Sequence, residues 1–205
     1  TAEKLSHIYG ALYIYEKLHI ANRELTFRIS PFSFFQTNTL ATEKLYEKIR
    51  ECINHNRTEV LYDFYGGSGG IALSCSDLVS KVYSVECVES ASQDGMYNAS
   101  ANHVTNIEFV TQPVENYLKE IYARQTFDSG STVILDPPRA GLHPKALEYL
   151  IQLKPKEIIY VSCKASSFLK ELPTVLTQYN LTTLEAFDLF PHTEQVELLA
   201  KMTLK

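Results

Sequence analysis

From Glu59 onward, short apolar runs alternate with longer stretches of helical spacing. Strand-like runs fall at residues 60–62, 82–86, 107–110, 132–135 and 158–161, and helical stretches at 71–78, 90–102, 114–122, 146–153 and 168–179. Repeated β-α units of this kind predict a parallel sheet covered by helices on both faces. The tail breaks the rhythm: residues 181–189 and 195–203 read as strands joined by a short link around Pro191. So short a link cannot make a parallel crossover, so the last pair is expected as an antiparallel hairpin. Upstream, residues 11–20 and 25–29 read as strands flanking a turn at Asn22-Arg23-Glu24, and 39–52 is helical through Leu40, Leu45 and Ile49. The expected fold class is α/β and Rossmann-like: a mostly parallel seven-stranded sheet ending in an antiparallel hairpin. A small β appendage over 1–31 precedes the main domain over 32–205.

Composition narrows the classes. The 205 residues suffice for one domain with a substantial core. With 45% hydrophobic and 21% charged residues, the chain reads as globular. No apolar run approaches a membrane span and no signal-peptide pattern opens the chain, so a cytoplasmic or other reducing setting is expected, with no membrane partner. The chain starts at Thr1 and reads as part of a longer protein. Its net charge of −5 argues against wrapping nucleic acid by charge alone, but not against gripping one extruded nucleotide with a basic module elsewhere. The four cysteines show neither metal-ligand spacing nor a short disulfide framework, so no metal is expected. Cys52, Cys75 and Cys87 read as buried, inert thiols; Cys163, at the end of an apolar strand, stands apart.

Three features point to a ligand. The segment Asp63-Phe-Tyr-Gly-Gly-Ser-Gly-Gly70 follows a strand and precedes a helix, where open α/β sheets bind nucleotides; a plain tight turn is the lesser alternative. Glu86 ends the second strand of the parallel series, placed to accept hydrogen bonds from ribose hydroxyls or simply to be a solvated acid. Asp136-Pro-Pro-Arg139 closes the fourth, its prolines barring further sheet pairing and holding the Asp136 carboxylate at the sheet edge. A mostly parallel sheet with a terminal hairpin and these loops is the usual plan of the S-adenosylmethionine-dependent methyltransferases.

Four stretches coincide in order and spacing: Phe32-Ser-Phe-Phe-Gln-Thr-Asn38; the glycine segment; Asp136-Pro-Pro-Arg-Ala-Gly-Leu142; and Tyr160-Val-Ser-Cys163 with Phe190-Pro-His-Thr-Glu-Gln-Val-Glu197. Through them the chain resembles the RNA uracil-5-methyltransferase family, which makes 5-methyluridine in transfer and ribosomal RNA, from about Phe27 to the C-terminus. The resemblance implies S-adenosyl-L-methionine as cofactor, with contacts from Gln36, Tyr65, Gly70, Glu86 and Asp136. It implies Cys163 as nucleophile, Glu197 as base, and RNA as partner; the chain itself is expected to be a monomer. It also implies that the β appendage is the remnant of a central RNA-binding region, and that an N-terminal oligonucleotide-binding barrel lies outside this chain. Three departures stand out: Lys164-Ala165 where the family usually has Asn-Pro, Gly66 where a cysteine is frequent, and Gln195 where a histidine is common. The first alters the turn that aims the nucleophile.

The residue types suit the implied chemistry. Carbon 5 of uracil is a weak nucleophile, and a thiolate adding to carbon 6 activates it as an enolate. A base must then remove the carbon-5 hydrogen so that the thiolate can leave. Glu197, flanked by Val196, Leu198 and Leu199, is expected to be desolvated and raised in pKa toward values useful for a base. A stacked uracil cannot offer carbon 6, so the nucleotide must be extruded or unpaired; Phe34, Phe35 and His192 are candidate stacking or wedge groups, although core packing would also suit a phenylalanine. Two alternatives remain at this level: an amino-methyltransferase of a nucleobase, which has no use for Cys163 or Glu197, and an RNA-binding homologue impaired in turnover.

Overall fold

The computed structural model describes residues 9–54 and 59–205; the opening residues 1–8 of the β appendage lie outside the described residues. Strands β1 (Ile14–Ile20) and β2 (Arg23–Ile29) form a separate antiparallel pair. They are joined by a two-residue turn at Ala21 and Asn22, both left-handed with φ 50° and 61°. The turn is therefore one step earlier than expected, because a two-residue left-handed turn matches the twist of its strands. Helix α1 (Thr39–Asn54) follows, and Asn38 caps it by accepting from the Ala41 N–H at 3.2 Å.

The main sheet comprises β3 (Val60–Phe64), β4 (Lys81–Glu86), β5 (Ile107–Thr111), β6 (Thr132–Leu135), β7 (Glu157–Ser162), β8 (Tyr179–Phe187) and β9 (Glu197–Leu204). Their spatial order is β5-β4-β3-β6-β7-β9-β8, parallel except for β9, which runs antiparallel to both its neighbours. The seven strands and the terminal hairpin match the expected class. The connecting helices are α2 (Gly70–Cys75), extended by a 3₁₀ turn over Ser76–Leu78, α3 (Glu89–Ala101), α4 (Val114–Arg124), α5 (Pro144–Leu153) and α6 (Ala165–Val175).

Boundaries shift where local chemistry was hidden. Helix α5 starts at Pro144 because proline suits a first helical position, while His143 Nδ1 accepts from the Lys145 N–H at 3.3 Å. Helix α6 starts three residues before the expected 168, and Tyr179 belongs to β8 instead of ending that helix. Tyr179 is fully buried there, its hydroxyl donating to Pro155 O at 2.9 Å.

Apolar side chains collect on both faces of the sheet. On one, Leu61, Ile134, Ile159, Val161 and Leu199 pack beneath Leu45 and Ile49 of α1, sharing that core with Leu18, Ile20, Leu25 and Phe27 of the β1–β2 pair. On the other, Val133, Ile158, Tyr160, Ala200 and Met202 meet Leu118 of α4, Leu150 of α5 and Phe168 of α6. This alternation determines which side chains reach the site. Asp63, Asp136, Cys163 and Glu197 each lie an even number of residues from a strand position facing α1, so all four fall on the α1 side of one sheet end.

Candidate active site

The loop after β3 is shaped by its own backbone. Tyr65, Gly67 and Gly69 take φ values of 65°, 55° and 84°, and the Tyr65 and Gly66 N–H groups donate to Val85 O at 2.9 and 3.1 Å. Glu86 supports the loop from beside it, its carboxylate accepting from Gly67 N at 3.0 Å and Val88 N at 2.7 Å. A Cβ on Gly66 would lie 2.2 Å from Ser84 Oγ, so a side chain here requires that hydroxyl to move. The Gly66 departure is therefore matched to Ser84.

A narrow cleft, about 30 Å³, opens over this loop between Phe34, Gln36, Tyr46, Asp63, Tyr65 and Asp136. Burial pushes the Asp63 carboxyl up to about 7, against the opposing pull of the Ala72 N–H and of Ser84 Oγ, which donates to it at 3.4 Å. Asp136 rises to about 8, through burial first and then the charges of Glu197 and Asp63. Gln36 Oε1 and Asp63 Oδ1 are buried and accept no hydrogen bond among the described residues. Unpartnered acceptors over a bare glycine loop fit a ligand that brings N–H and O–H donors, as an amino-acid-bearing nucleoside does.

An acid raised in the fold favours its neutral form there, while the unfolded chain ionises near 3.8. Asp63 therefore loses stability as pH rises from about 4 to about 7. Asp63→Asn should melt higher than the parent by roughly 5 °C above pH 7, the gap shrinking as pH falls toward 4, in thermal unfolding followed by circular dichroism.

Cys163 and Glu197 occupy adjacent strands. The β7–β9 register pairs Ser162 with Leu198, so Cys163 and Glu197 are the next two residues outward on their strands, on the same face. Glu197 is only 2% exposed, and its Oε2 has no partner among the described residues. Burial pushes its carboxyl up to about 7 against the opposing pull of Arg139. The Cys163 thiol is partly exposed and raised by burial, then by the charges of Glu197 and Asp136, with Arg139 acting downward. It lines an open basin of about 510 Å³ with Arg139, Lys164, Glu194, Gln195 and Val196.

Helix α6 fixes the basin's other wall. Ser167 Oγ donates to Arg139 O at 2.8 Å, and one turn later Glu171 accepts from Leu142 N and from the Tyr160 hydroxyl, each at 2.8 Å. The Lys164-Ala165 departure does not disturb the helix start. Ser162 Oγ donates to Lys164 O at 3.1 Å and accepts from Lys164 N at 3.3 Å, and Lys164 takes an extended N-cap conformation directly before α6.

Of the sequence-selected residues, Gln36, Tyr65, Gly70 and Asp136 line one cleft. Glu86 supports the loop without lining that cleft. Cys163 and Glu197 meet at the neighbouring strand ends, linked electrostatically to Asp136. Phe35 packs on Phe27 with ring centroids 5.2 Å apart, whereas Phe34 and His192 are exposed. Cys52 and Cys75 are buried as expected, but Cys87 is exposed, because it follows the last residue of β4 and leaves the sheet. The Asp63 carboxylate and Tyr46 were not singled out. An acid inside the apolar run 60–64 was a visible signal for the first. Tyr46, whose hydroxyl would lie 2.6 Å from a Cβ on Gly70, gave none beyond its helix.

Similarity to known proteins identifies the fold and the family. A structure from Agrobacterium tumefaciens described as an S-adenosylmethionine-dependent methyltransferase superposes with a TM-score of 0.72 at 12% identity, covering 98% of this chain and 72% of that one, and shows the fold alone. The Pyrococcus abyssi tRNA (uracil-54, C5)-methyltransferase, solved with S-adenosyl-L-homocysteine, superposes with a TM-score of 0.77 at 31% identity, covering 95% of this chain and 45% of that one. The fold is that of a methyltransferase. The family profile described as tRNA (uracil-5-)-methyltransferase matches residues 2–202, and the chain belongs to that family. An uncharacterized RNA methyltransferase of Caldanaerobacter subterraneus subsp. tengcongensis is 38% identical over 96% of this chain, and another from Oceanobacillus iheyensis is 37% identical over 99%. The chain spans 42% and 43% of those relatives' lengths.

Proposed function

We propose that this chain is the catalytic part of an S-adenosylmethionine-dependent RNA methyltransferase that methylates carbon 5 of a uridine through a cysteine adduct at carbon 6. The observation that carries this reading is the juxtaposition of Cys163 and Glu197 on neighbouring strand ends beside Asp136 and the glycine loop. Gln36, Asp63, Tyr65, Gly70, Glu86 and Asp136 would hold the cofactor, directly or through the loop. Bound there, S-adenosylmethionine supplies an electrophilic methyl group.

The Cys163 thiolate adds to carbon 6, forming a sulfur–carbon bond and displacing the ring's π pair toward oxygen 4. The resulting enolate makes carbon 5 nucleophilic. Once methylated, carbon 5 still carries its hydrogen; Glu197 takes that proton, the freed C–H pair re-forms the carbon 5–carbon 6 double bond, and the thiolate is expelled from carbon 6. Arg139 is the cation acting on both groups, holding the thiol and the carboxyl lower than burial alone would. Phe34, exposed at the rim of the cofactor cleft, is assigned to stack on an extruded base, and the β appendage over 1–31 is assigned to an RNA-binding region beside the 32–205 catalytic domain.

The test is transfer of labelled methyl from S-adenosylmethionine to total RNA lacking 5-methyluridine. Label in 5-methyluridine is expected; label on an exocyclic amine, with 5-methyluridine absent, would overturn the reading in favour of an amino-methyltransferase.

A further inference from the structure

Strand β2 pairs with β1 along one edge only. Its other edge, which would otherwise present bare N–H and C=O groups, is occupied by side chains at four-residue intervals along α3 and its C-cap, Asn102. Asn102 accepts from Thr26 N at 2.9 Å and donates to Thr26 O at 2.8 Å. Asn98 accepts from Arg28 N at 2.7 Å and donates to Arg28 O at 3.2 Å. Asp94 accepts from Ser30 N at 2.7 Å and pairs with the Arg28 guanidinium at 2.8 Å. One face of a helix thus pairs with alternate residues of a strand as a neighbouring strand would.

Asn98 reaches further. Its side-chain amide also donates to Ser68 O at 3.1 Å, in the middle of the glycine loop, and the residue is fully buried. Asp94 does the equivalent for the opposite wall of the cleft, accepting from Ser33 Oγ at 2.7 Å three residues before Gln36. Asn102 touches neither wall; its remaining hydrogen bond is to Asn98 O within α3. We infer that Asn98 is a positioning residue, tying the β1–β2 pair to the cofactor loop so that the loop's shape depends on β2 being docked. This rests on the loop holding the cofactor, as proposed above. A buried side-chain amide with acceptor and donors all engaged is a strong constraint, because losing it strands several backbone groups at once.

Asn98→Ala and Asn102→Ala separate this coupling from simple loss of strand docking. Both should lower the melting temperature. Only Asn98→Ala should weaken S-adenosylhomocysteine binding in calorimetry, by about tenfold, with Asn102→Ala within about twofold of the parent. Equal loss in both variants, or unchanged affinity in Asn98→Ala, would overturn the assignment. Should Asn98→Ala not fold, hydrogen exchange on the parent chain decides. Saturating S-adenosylhomocysteine should slow exchange at the Arg28 amide, which lies outside the cleft; an unchanged rate there would refute the coupling. A parent that binds no S-adenosylhomocysteine would instead remove the reading of the loop, and this inference with it.

Discussion

Replacing Cys163 by alanine should reduce methyl transfer to RNA by more than about a thousandfold while leaving S-adenosylhomocysteine binding within about twofold. The size follows from the chemistry, because without a sulfur–carbon bond at carbon 6 the ring offers no enolate and carbon 5 stays unreactive. The selectivity follows from the geometry: Cys163 lines the open basin with Arg139 and Lys164, whereas the cleft above the glycine loop is lined by other residues. Labelled-methyl transfer and calorimetry measure the two quantities. An alanine variant that retained turnover would exclude the covalent route, and one that lost cofactor binding would show that Cys163 shapes the cleft instead.

Glu197→Gln should slow turnover by about a hundredfold or more, and the loss should appear after methyl transfer. Glutamine preserves the shape but cannot take the carbon-5 proton, so enzyme joined to methylated RNA should accumulate and run as a slow band in a denaturing gel. In the parent, the carboxyl raised to about 7 must be ionised to act, so resolution of the adduct should quicken as pH rises through about 7 and level off above it. The variant should lack that limb. Single-turnover quenching across pH 6–8.5 checks both points, and fast turnover with no trapped complex would remove Glu197 as the base.

Much of the fold was legible because its central strands are buried on both faces. The runs at 132–135 and 158–161 are almost continuously apolar, and a parallel sheet sandwiched by helices requires that. The burial of Glu197 was legible in the apolar residues Leu198 and Leu199 that follow it, and it holds at 2% exposure although Val196 beside it is exposed. The start of α6 was not, because Lys164 caps without a side-chain hydrogen bond and the turn is held by Ser162, a residue already counted in the strand. Cys87 was misjudged by its apolar neighbours Val85 and Val88, which hide the point where the chain leaves the sheet. Asn98 and Glu171 were silent, since polar residues on helices gain meaning only from backbone groups far away in sequence, here Arg28, Ser68 and Leu142. Propensity and periodicity report a residue's own element and not what that element is pressed against.

Carbon 5 of 5-fluorouridine cannot release its substituent as a proton, so an enzyme that adds sulfur to carbon 6 becomes stuck on such RNA after methyl transfer. Incubation of the chain with 5-fluorouridine-containing RNA and S-adenosylmethionine, followed by digestion and peptide mass spectrometry, tests this directly. The expected product is a methylated fluoropyrimidine attached to the peptide containing Cys163. Methylation of ordinary uridine RNA at carbon 5, with Cys163 recovered unmodified from the fluorinated substrate, would contradict the mechanism.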